Sequence, residues 1–375
     1  MKILSVPVTA TVTTMLLVGG VRSAVADDND VDDLVAYQQT NLTSNVPGLA
    51  AVTDANLKNP WGIAWAPGGA LWASDNNSAL STLYNGTGSI TPLVVAIPPV
   101  EAAAPTGIVW NPNSANQFII PGTTIGATFI FNGEDGTITA WNPAADPVVA
   151  GKSTASLVID NSATGAVYKG LAYGTNSRGN FIFATNFNSG TVEAYNVRFA
   201  LTTLDGTFTD PNLPAGYAPF GIANIDGDLF VTYAKQDAAK HDPVRGDGLG
   251  FVDVFSTSGR FIRRFASRGV LNAPWGVVRA PIGFGKFGGD VLIGNFGNKG
   301  RFAGWISAFG SRGELRGELR TPQGRPISID GLWALTFGSF AASDGDTLYF
   351  TAGPNDEEDG LFGKLTAAPA VHRGG

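Results

Sequence analysis

The sequence predicts an all-β protein that folds as a single closed six-bladed β-propeller. The main evidence is a recurring phrase, Pro-x-Gly followed by an aliphatic residue and a strand-like run. Six copies are identified, centred on Gly62, Gly107, Gly170, Gly221, Gly276 and Gly331. The copies at Gly170 and Gly331 lack the proline, and successive glycines are 45, 63, 51, 55 and 55 residues apart. A period near 50 residues is typical of propellers and solenoids.

Composition supports this fold and removes several kinds of site. The 49 glycines among 375 residues suit a chain with many tight turns, and 44% hydrophobic residues can form a sizeable core. There is no cysteine, which excludes disulfides, thiolate catalysis and cysteine-based zinc or iron–sulfur centres. With two histidines, His241 and His372, a multi-histidine metal centre is excluded as well.

Each blade follows one pattern of short strands separated by turn residues. In blade one, the runs 63–65, 71–75 and 81–84 are predicted strands, and Asn85-Gly86 is a hairpin turn signal. In blade two, the corresponding runs are 108–110, 117–120 and 138–141. The stretch 37–52 is expected to supply an outer strand that closes the ring against the last blade, because an open ring would leave an exposed pairing edge.

The ends of the chain differ from the repeat. Residues 1–26 are predicted to be a secretory signal peptide, with Lys2 at its start and an Ala24-Val25-Ala26 cleavage site. Residues 27–36 are acidic and expected to be disordered, 37–367 form the propeller, and 368–375 are a disordered tail. We therefore expect a secreted or periplasmic monomer with no membrane span after cleavage, and no nucleic-acid partner.

The formal net charge of −7 is unevenly distributed. Between Lys235 and Arg325 the sequence has 15 basic and 7 acidic residues, so this sector is positive while the rest is acidic. Such a sector can attract an anionic ligand such as a polyanion or an acidic glycan. The alternative is a solvated rim without a binding role.

The ends of the predicted second strands suggest a polar circle around the propeller axis. Asp75 and Asn76 end the second strand of blade one, and Asn186, Tyr233 and Asn295 occupy the corresponding places in blades three, four and five. Equivalent positions of a ring face a common end, so these residues could form a ligand or cation site. Alternatively, each Asn or Asp bonds the backbone of its own loop.

Two loops add candidate residues. A blade-four insertion places Lys235 and His241 among Asp and Arg residues, and a histidine beside carboxylates could act as a general base. The acidic loop at 355–360 could hold a cation through Glu357 or Glu358, although its spacing is not that of an EF-hand. Both loops could equally be solvated surface.

Two functional motifs were considered and neither is supported. The stretch 283–288 matches G-x-G-x-x-G, but a strand follows it where a dinucleotide-binding motif needs a helix. No serine lies in a G-x-S-x-G nucleophile elbow.

Several longer phrases resemble an uncharacterised family of exported propeller proteins, mostly bacterial with some fungal members. They lie at 41–50, 59–64, 233–237, 332–338 and 350–354. The resemblance covers residues 37–367 approximately, and the family is similar to the wider NHL-repeat propellers. Some members carry a PEP-CTERM sorting tail, which has no match here. The resemblance implies the fold and export, and no particular activity.

The sequence therefore favours a binding or interaction platform with a site at one end of the axis, leaning away from an enzyme. That site would comprise Asp75, Asn76, Asn186, Tyr233, Lys235, His241 and Asn295, and its ligand would be a small molecule, a glycan or a polyanion. The alternative is a lactonase- or lyase-like enzyme that uses calcium held by Asp75, Asn186, Asn295 and Glu358, with His241 as base. A third hypothesis is a surface adhesion module that binds anionic polymers.

Overall fold

The computed structural model describes residues 36–99 and 102–370, which form six β-sheets arranged as the blades of a propeller. The predicted all-β, six-bladed fold is confirmed. The predicted signal peptide, most of the acidic segment after it and residues 371–375 lie outside the described residues. Helical structure in the described part is limited to three single turns of 3-10 helix, at Asn76–Ser78, Ser162–Thr164 and Gly285–Phe287.

The first half of the propeller consists of the strands that form blades one to three, preceded by two strands of blade six. Those two are β1 (Ala36–Ser44) and β2 (Val52–Thr53). Blade one contains β3 (Pro60–Trp65), β4 (Leu71–Asp75), β5 (Leu80–Tyr84) and β6 (Ile90–Ala96). Blade two contains β7 (Pro105–Trp110), β8 (Phe129–Gly133), β9 (Thr137–Trp141) and, after β10 (Lys152–Thr154), which pairs with β6, β11 (Ser156–Asp160). Blade three contains β12 (Tyr168–Asn176), β13 (Gly179–Asn186) and β14 (Thr191–Asn196).

The second half follows the same order from the axis outward. Blade four contains β15 (Tyr217–Ile225), β16 (Asp228–Gln236), β17 (Pro243–Val244), β18 (Gly250–Ser256) and β19 (Phe261–Ser267). Blade five contains β20 (Pro274–Arg279), β21 (Val291–Asn295), β22 (Ile306–Phe309) and β23 (Leu315–Glu318). Blade six contains β24 (Leu332–Thr336), β25 (Leu348–Ala352) and β26 (Leu361–Ala368).

The ring is closed by the N-terminal strand, a choice between the two termini that the sequence leaves open. β1 pairs antiparallel with β26, and the blade-six sheet has the order β2-β1-β26-β25-β24. Tyr37 in β1 is fully buried, and its ring lies 4.7 Å from that of Phe284 in blade five. Its hydroxyl donates to the Phe284 carbonyl and accepts from the Phe287 amide. β1 thus joins the last two blades.

The repeated glycines allow neighbouring first strands to approach each other. A Cβ at Gly62 would overlap the Thr106 carbonyl of blade two, and one at Gly221 would overlap the Trp275 carbonyl of blade five. This close approach explains why the phrase requires glycine. The repeat therefore encodes the contact between blades.

In blade six, the repeat position lies three residues after the glycine that the sequence pattern indicates. Ala334, not Gly331, occupies the repeat position in blade six, because its amide donates to Thr351 as the Gly221 amide donates to Thr232. Gly331 lies just before β24 in a turn with φ of 64°. The glycine signal there reports a turn and not the blade contact.

Blade two also differs from the prediction. Its second strand is β8 (Phe129–Gly133), whereas the predicted stretch 117–120 forms only an isolated bridge, between Ile119 and Gly126. Phe118 has a φ of 53°, which interrupts an extended strand, and its buried ring packs with blade-three residues such as Phe199. The apolar residues at 117–120 have strong β propensity, but they pack between blades instead of forming a strand.

An aromatic cluster fills the middle of the axis. It contains the variable residue of the phrase from four blades, namely Trp61, Phe220, Trp275 and Trp333. Trp61 and Trp333 stack with centroids 3.5 Å apart, and Phe296 stacks on Trp333 at 3.7 Å. The cluster separates an apolar-lined opening of about 200 Å³ from a polar cavity at the other end.

Candidate functional site

The polar end of the axis holds a cavity of about 560 Å³, called the axial cavity here. It is bounded by the loops that follow the second strands, where β4, β8, β16, β21 and β25 end. Its lining residues are Asn76, Asn77, Glu134, Asp242, Pro243, Val244, Arg245, Lys299, Asp356 and Glu357. Blade three contributes Lys169, whose ammonium contacts Glu134 and Asp242. All six blades therefore supply polar groups to one place.

Lys169 lies buried beneath the lining of this cavity, between it and the aromatic cluster. Its side chain is completely buried, and its Nζ lies 5.2 Å from the centroid of the Trp61 ring in the axial cluster. The ammonium pairs with Glu134 Oε1 and lies 3.5 Å from Asp242 Oδ1. Asn76 Nδ2 donates to the other Glu134 oxygen at 3.0 Å. The buried cation is thus paired, as burial requires.

Arg245 and Glu357 form one wall. Arg245 Nη2 donates to Glu357 Oε1 at 2.6 Å, while its guanidinium lies 4.4 Å from the centroid of the Phe296 ring. Asn59 Nδ2 donates to the second Glu357 oxygen at 3.2 Å, and Asn59 Oδ1 accepts from Trp333 Nε1 at 2.9 Å. The aromatic cluster and the polar wall are therefore linked by direct hydrogen bonds.

The blade-four insertion crosses this end of the propeller; residues 237–249, between β16 and β18, are called the strap. Asp242 reaches Lys169 of blade three, and Arg245 reaches Glu357 of blade six. Asp247 accepts the amides of Arg301 and Phe302 in blade five, at 3.0 and 3.2 Å. The strap is thus attached to three other blades.

Two carboxyl groups of the cavity have shifted pKa values in opposite directions. Burial raises the pKa of Glu357, and the nearby charge of Glu134 adds to this, although Arg245 opposes it. For Asp242, burial also opposes ionisation, but the Lys169 ammonium and His241 outweigh it and lower the pKa. Asp242 is therefore held as an anion, whereas Glu357 takes up a proton more readily than an ordinary glutamate.

The predicted site residues divide between this cavity and its surroundings. Asn76 lines the cavity, and His241 is half exposed on the strap with Nδ1 3.0 Å from Asp242 Oδ1. Lys235 is exposed outside the lining, and Tyr233 is buried among apolar residues between blades three and four. Glu358 is exposed, and its neighbour Glu357 faces the cavity instead.

The predicted calcium ligands are not assembled, because their side chains bind their own surroundings. Asn186 accepts from the amides of Val167 and Ser189 and donates to Glu193. Asn295 accepts from the Asn272 amide and donates to two backbone carbonyls. Asp75 is fully buried and accepts from Thr82, and burial raises its pKa well above the usual range.

Of the residues predicted at the strand ends, Asn76 lines the cavity, whereas Asp75, Asn186 and Asn295 each lie one position too early. Asp75, Asn186 and Asn295 each end a strand, and successive side chains of a strand point to opposite faces. The residues that follow them, Asn76, Phe187 and Phe296, therefore face the axial end.

Three important residues were not predicted, namely Glu134, Lys169 and Arg245, whereas Glu357 was named as a candidate cation ligand beside Glu358. Lys169 carried a usable signal, because it occupies the phrase position that holds Trp or Phe in four other blades. A lone cation among aromatic equivalents marks a position with a special environment.

One set of possible metal ligands differs from the predicted set. Ligand atoms of Glu134, His241 and Asp242 all lie within 4.8 Å of one another. However, the Lys169 ammonium already contacts both carboxylates. A cation placed there would be repelled by Lys169, so this arrangement fits a divalent ion poorly.

The basic sector is partly neutralised in the folded chain. Six of its arginines form ion pairs with acidic side chains: Arg245, Arg260, Arg264, Arg279, Arg316 and Arg320. Six of the 15 basic residues of this sector are therefore paired locally. Across residues 36–99 and 102–370, no helix has the length and apolar character needed to cross a membrane.

Comparison with known proteins identifies viral relatives. The chain is 33% identical over 344 residues to uncharacterized protein R648 of Acanthamoeba polyphaga mimivirus, covering 88% of this chain and 80% of that protein. It is 30% identical over 352 residues to uncharacterized protein L690 of the same virus, covering 90% and 88%. No family model matches the chain.

Among solved structures, a protein of unknown function from Bacteroides thetaiotaomicron superposes with a TM-score of 0.52. The two are 12% identical, and the match covers 88% of this chain and 76% of that one. At this identity the likeness concerns the fold alone.

Proposed function

Because the chain belongs to the family of the mimivirus proteins R648 and L690, whose names assign no activity, we propose a function from its own geometry. The protein is a binding platform, and its axial cavity holds a small polar ligand. A volume of about 560 Å³ falls within the usual range of about 300–1,000 Å³ for small-molecule sites.

One observation carries this proposal: all six blades direct polar groups to the same end of the axis. The cavity receives four carboxylates, from Glu134, Asp242, Asp356 and Glu357, and it is lined by Arg245 and Lys299. Assembling charges over an aromatic floor has a desolvation cost that a purely structural end of the ring would not need. A ligand-binding role explains why the fold tolerates this desolvation free energy.

The enzyme hypothesis receives less support. Its predicted calcium ligands Asn186 and Asn295 form hydrogen bonds with the neighbouring backbone. His241 contacts Asp242 but does not itself line the cavity. The adhesion hypothesis relied on the basic sector, whose arginines are mostly paired. We therefore favour binding of a small ligand over both.

We also propose that the protein is exported and belongs with the bacterial and fungal propellers that its phrases resemble. The support is the sequence of residues 1–26 and the Ala24-Val25-Ala26 site. Fractionation of the host cell followed by N-terminal sequencing tests this. Export predicts a mature protein that begins at Asp27, whereas a cytosolic chain that retains residues 1–26 would contradict it.

The binding proposal is tested by ligand-observed NMR with a library of sugars, amino acids, carboxylic acids and polyamines. Two variants, Asn77→Trp and Val244→Trp, place a bulky side chain in the cavity from blades one and four. Ser177→Trp is the control, because it lies in the exposed turn between β12 and β13 at the opposite end. Circular dichroism and melting temperature verify folding of each variant.

We expect at least one compound class to bind the native protein and the Ser177→Trp control, and to lose binding in both cavity variants. Compounds that bind all four proteins equally would place the ligand elsewhere. Absence of binding across the library would also contradict the proposal.

A further inference from the structure

We infer that the ligand of the axial cavity is an uncharged saccharide. The inference rests on the proposed function and specifies its ligand class. It follows from which polar groups of the cavity are already satisfied and which are free.

Two of the four carboxylates are fully engaged within the protein. Glu134 accepts from Lys169 on one oxygen and from Asn76 on the other. Glu357 accepts from Arg245 on one oxygen and from Asn59 on the other. Each carboxylate therefore has a cation beside it and a hydrogen bond to each oxygen, so neither is left as an unpaired charge for a ligand.

The groups that remain free are of both kinds. Among the described residues, no hydrogen bond engages Oδ2 of Asp242, Oδ2 of Asp356 or Oδ1 of Asn76. The Lys299 ammonium likewise forms no salt bridge within the described part of the chain, and it lines the cavity beside these acceptors. These groups come from blades one, four, five and six.

This mixture disfavours simple ions of either sign. An anion would approach Asp242 and Asp356, and a cation would approach Arg245 and Lys299. A hydroxyl group has one donor and two acceptor positions, so it can donate to a carboxylate while it accepts from an ammonium. Hydrogen bonds to charged partners are roughly twice as strong as neutral ones. A ligand with several hydroxyl groups can donate to the free carboxylates and accept from the ammonium, which a simple ion cannot do.

The strap also provides an apolar surface beside these groups. Pro243 and Val244 form β17 and line the cavity, and Val244 is 36% exposed. A sugar ring carries C–H groups on its faces and hydroxyls on its edge, so it can cover Val244 while its edge reaches Asp242 and Asp356. A purely ionic ligand would leave this apolar surface uncovered.

The test uses a glycan array that carries neutral, sialylated and sulfated oligosaccharides, followed by calorimetric titration with the best neutral glycan. The variants are Asp242→Asn and Asp356→Asn, which keep the side-chain shape and remove the charge. The control is Asp344→Asn, in the exposed loop between β24 and β25 at the opposite end. Lysine, which carries two ammonium groups and one carboxylate near neutral pH, serves as the cationic amino-acid probe, and sodium sulfate serves as the anionic probe.

We expect neutral glycans to bind, and each cavity variant to weaken binding by about tenfold, because each loses a charge-assisted hydrogen bond. The control should bind as the native protein does. Asn77→Trp should abolish binding.

The two proposals fail in different ways. If lysine, sulfate or only charged glycans bind and Asn77→Trp removes that binding, the cavity is a ligand site and the saccharide inference is wrong. If neutral glycans bind Asn77→Trp as well as the native protein, both proposals are contradicted. If none of these probes binds, the saccharide inference is wrong, and the wider compound library decides the proposed function.

Discussion

Lys169 is the residue on which the axial end depends most. It is a fully buried cation that rests on Trp61 and is paired with Glu134, at a repeat position that is aromatic in most blades. A buried ion pair is weak evidence of stability, but breaking one by removing a partner is costly because the other charge loses its compensation. A lysine in place of an aromatic residue at this position therefore favours a role in the axial site over a role in core stability.

Replacement of Lys169 by Met should lower the free energy of unfolding by about 3 kcal/mol, because Glu134 then lacks its cation. The double variant Lys169→Met/Glu134→Gln should recover most of this loss, since the unpaired charge is removed as well. Urea unfolding of both variants measures the effect. Lys299→Met, at an exposed lysine, is the control and should change stability by less than about 0.5 kcal/mol. Equal losses in the single and double variants would contradict the pairing.

A second buried acid gives a pH-dependent prediction. Asp253 is fully buried, and its carboxylate pairs with Arg264, which also pairs with Asp210. Burial raises the pKa of Asp253 to about 7; Arg264 opposes this, and Asp210 adds to it. The folded state therefore binds a proton more tightly than the unfolded state, whose Asp titrates near pH ~4. This stabilisation is complete below pH ~4 and is lost as the pH rises through 7.

The variant Asp253→Asn does not titrate at this position, so its stability relative to the native protein should rise between pH ~4 and ~8. Chemical unfolding at several pH values measures the difference. Ser177→Ala, which replaces an exposed side chain without an ionisable group, is the control, and its difference from the native protein should not change over that range. A difference for Asp253→Asn that is constant or falls with pH would contradict the shifted pKa.

At the scale of elements, the strap connects blade four with the rest of the ring. Its ion pair between Arg245 and Glu357 reaches blade six, and Asp247 binds two amides of blade five. The sequence identified this insertion as a candidate loop. It could not predict the attachments, because they join residues more than 100 positions apart in the case of Arg245 and Glu357.

Loss of the Arg245 contact should loosen the strap without unfolding the blades. In Arg245→Gln, we expect hydrogen exchange at residues 237–247 to speed up, while exchange in β16 and β18 stays as in the native protein. Arg260→Gln removes an exposed ion pair with Asp205 and is the matched control. Exchange in the strap that is unchanged, or that rises equally in the control, would show that the pair does not hold it.

At the scale of the whole molecule, the repeat predicted the ring, because five of the six glycines mark a contact between neighbouring first strands. Gly221 approaches the Trp275 carbonyl so closely that a Cβ would overlap it. Gly221→Ala should therefore lower the free energy of unfolding by about 3 kcal/mol or prevent folding. Gly345→Ala is the control, since no atom lies within 4 Å of a Cβ at that position. Thermal unfolding measures both, and a stable Gly221→Ala variant would contradict the contact.

The fold was predictable to a greater extent than the site. Fold class and blade number follow from periodicity and turn residues, which are local signals, whereas the sequence leaves open which terminus closes the ring. The site depends on which side of a strand end a residue faces, and a shift of one residue moved Asn186 and Asn295 into structural roles. It also depends on pairs such as Lys169 with Glu134, which lie in different blades. No local pattern reports those pairs.

The claim that the axial cavity is the ligand site is tested most directly by NMR of the side-chain amides of Asn76 and Asn77. The protein, labelled with ¹⁵N, is titrated with a mixture of neutral mono- and disaccharides. We expect these two amide signals to shift in a saturable manner, and to stop responding when Val244→Trp fills the cavity. Signals that stay unchanged, or shifts confined to the outer strands or the opposite end, would contradict the account.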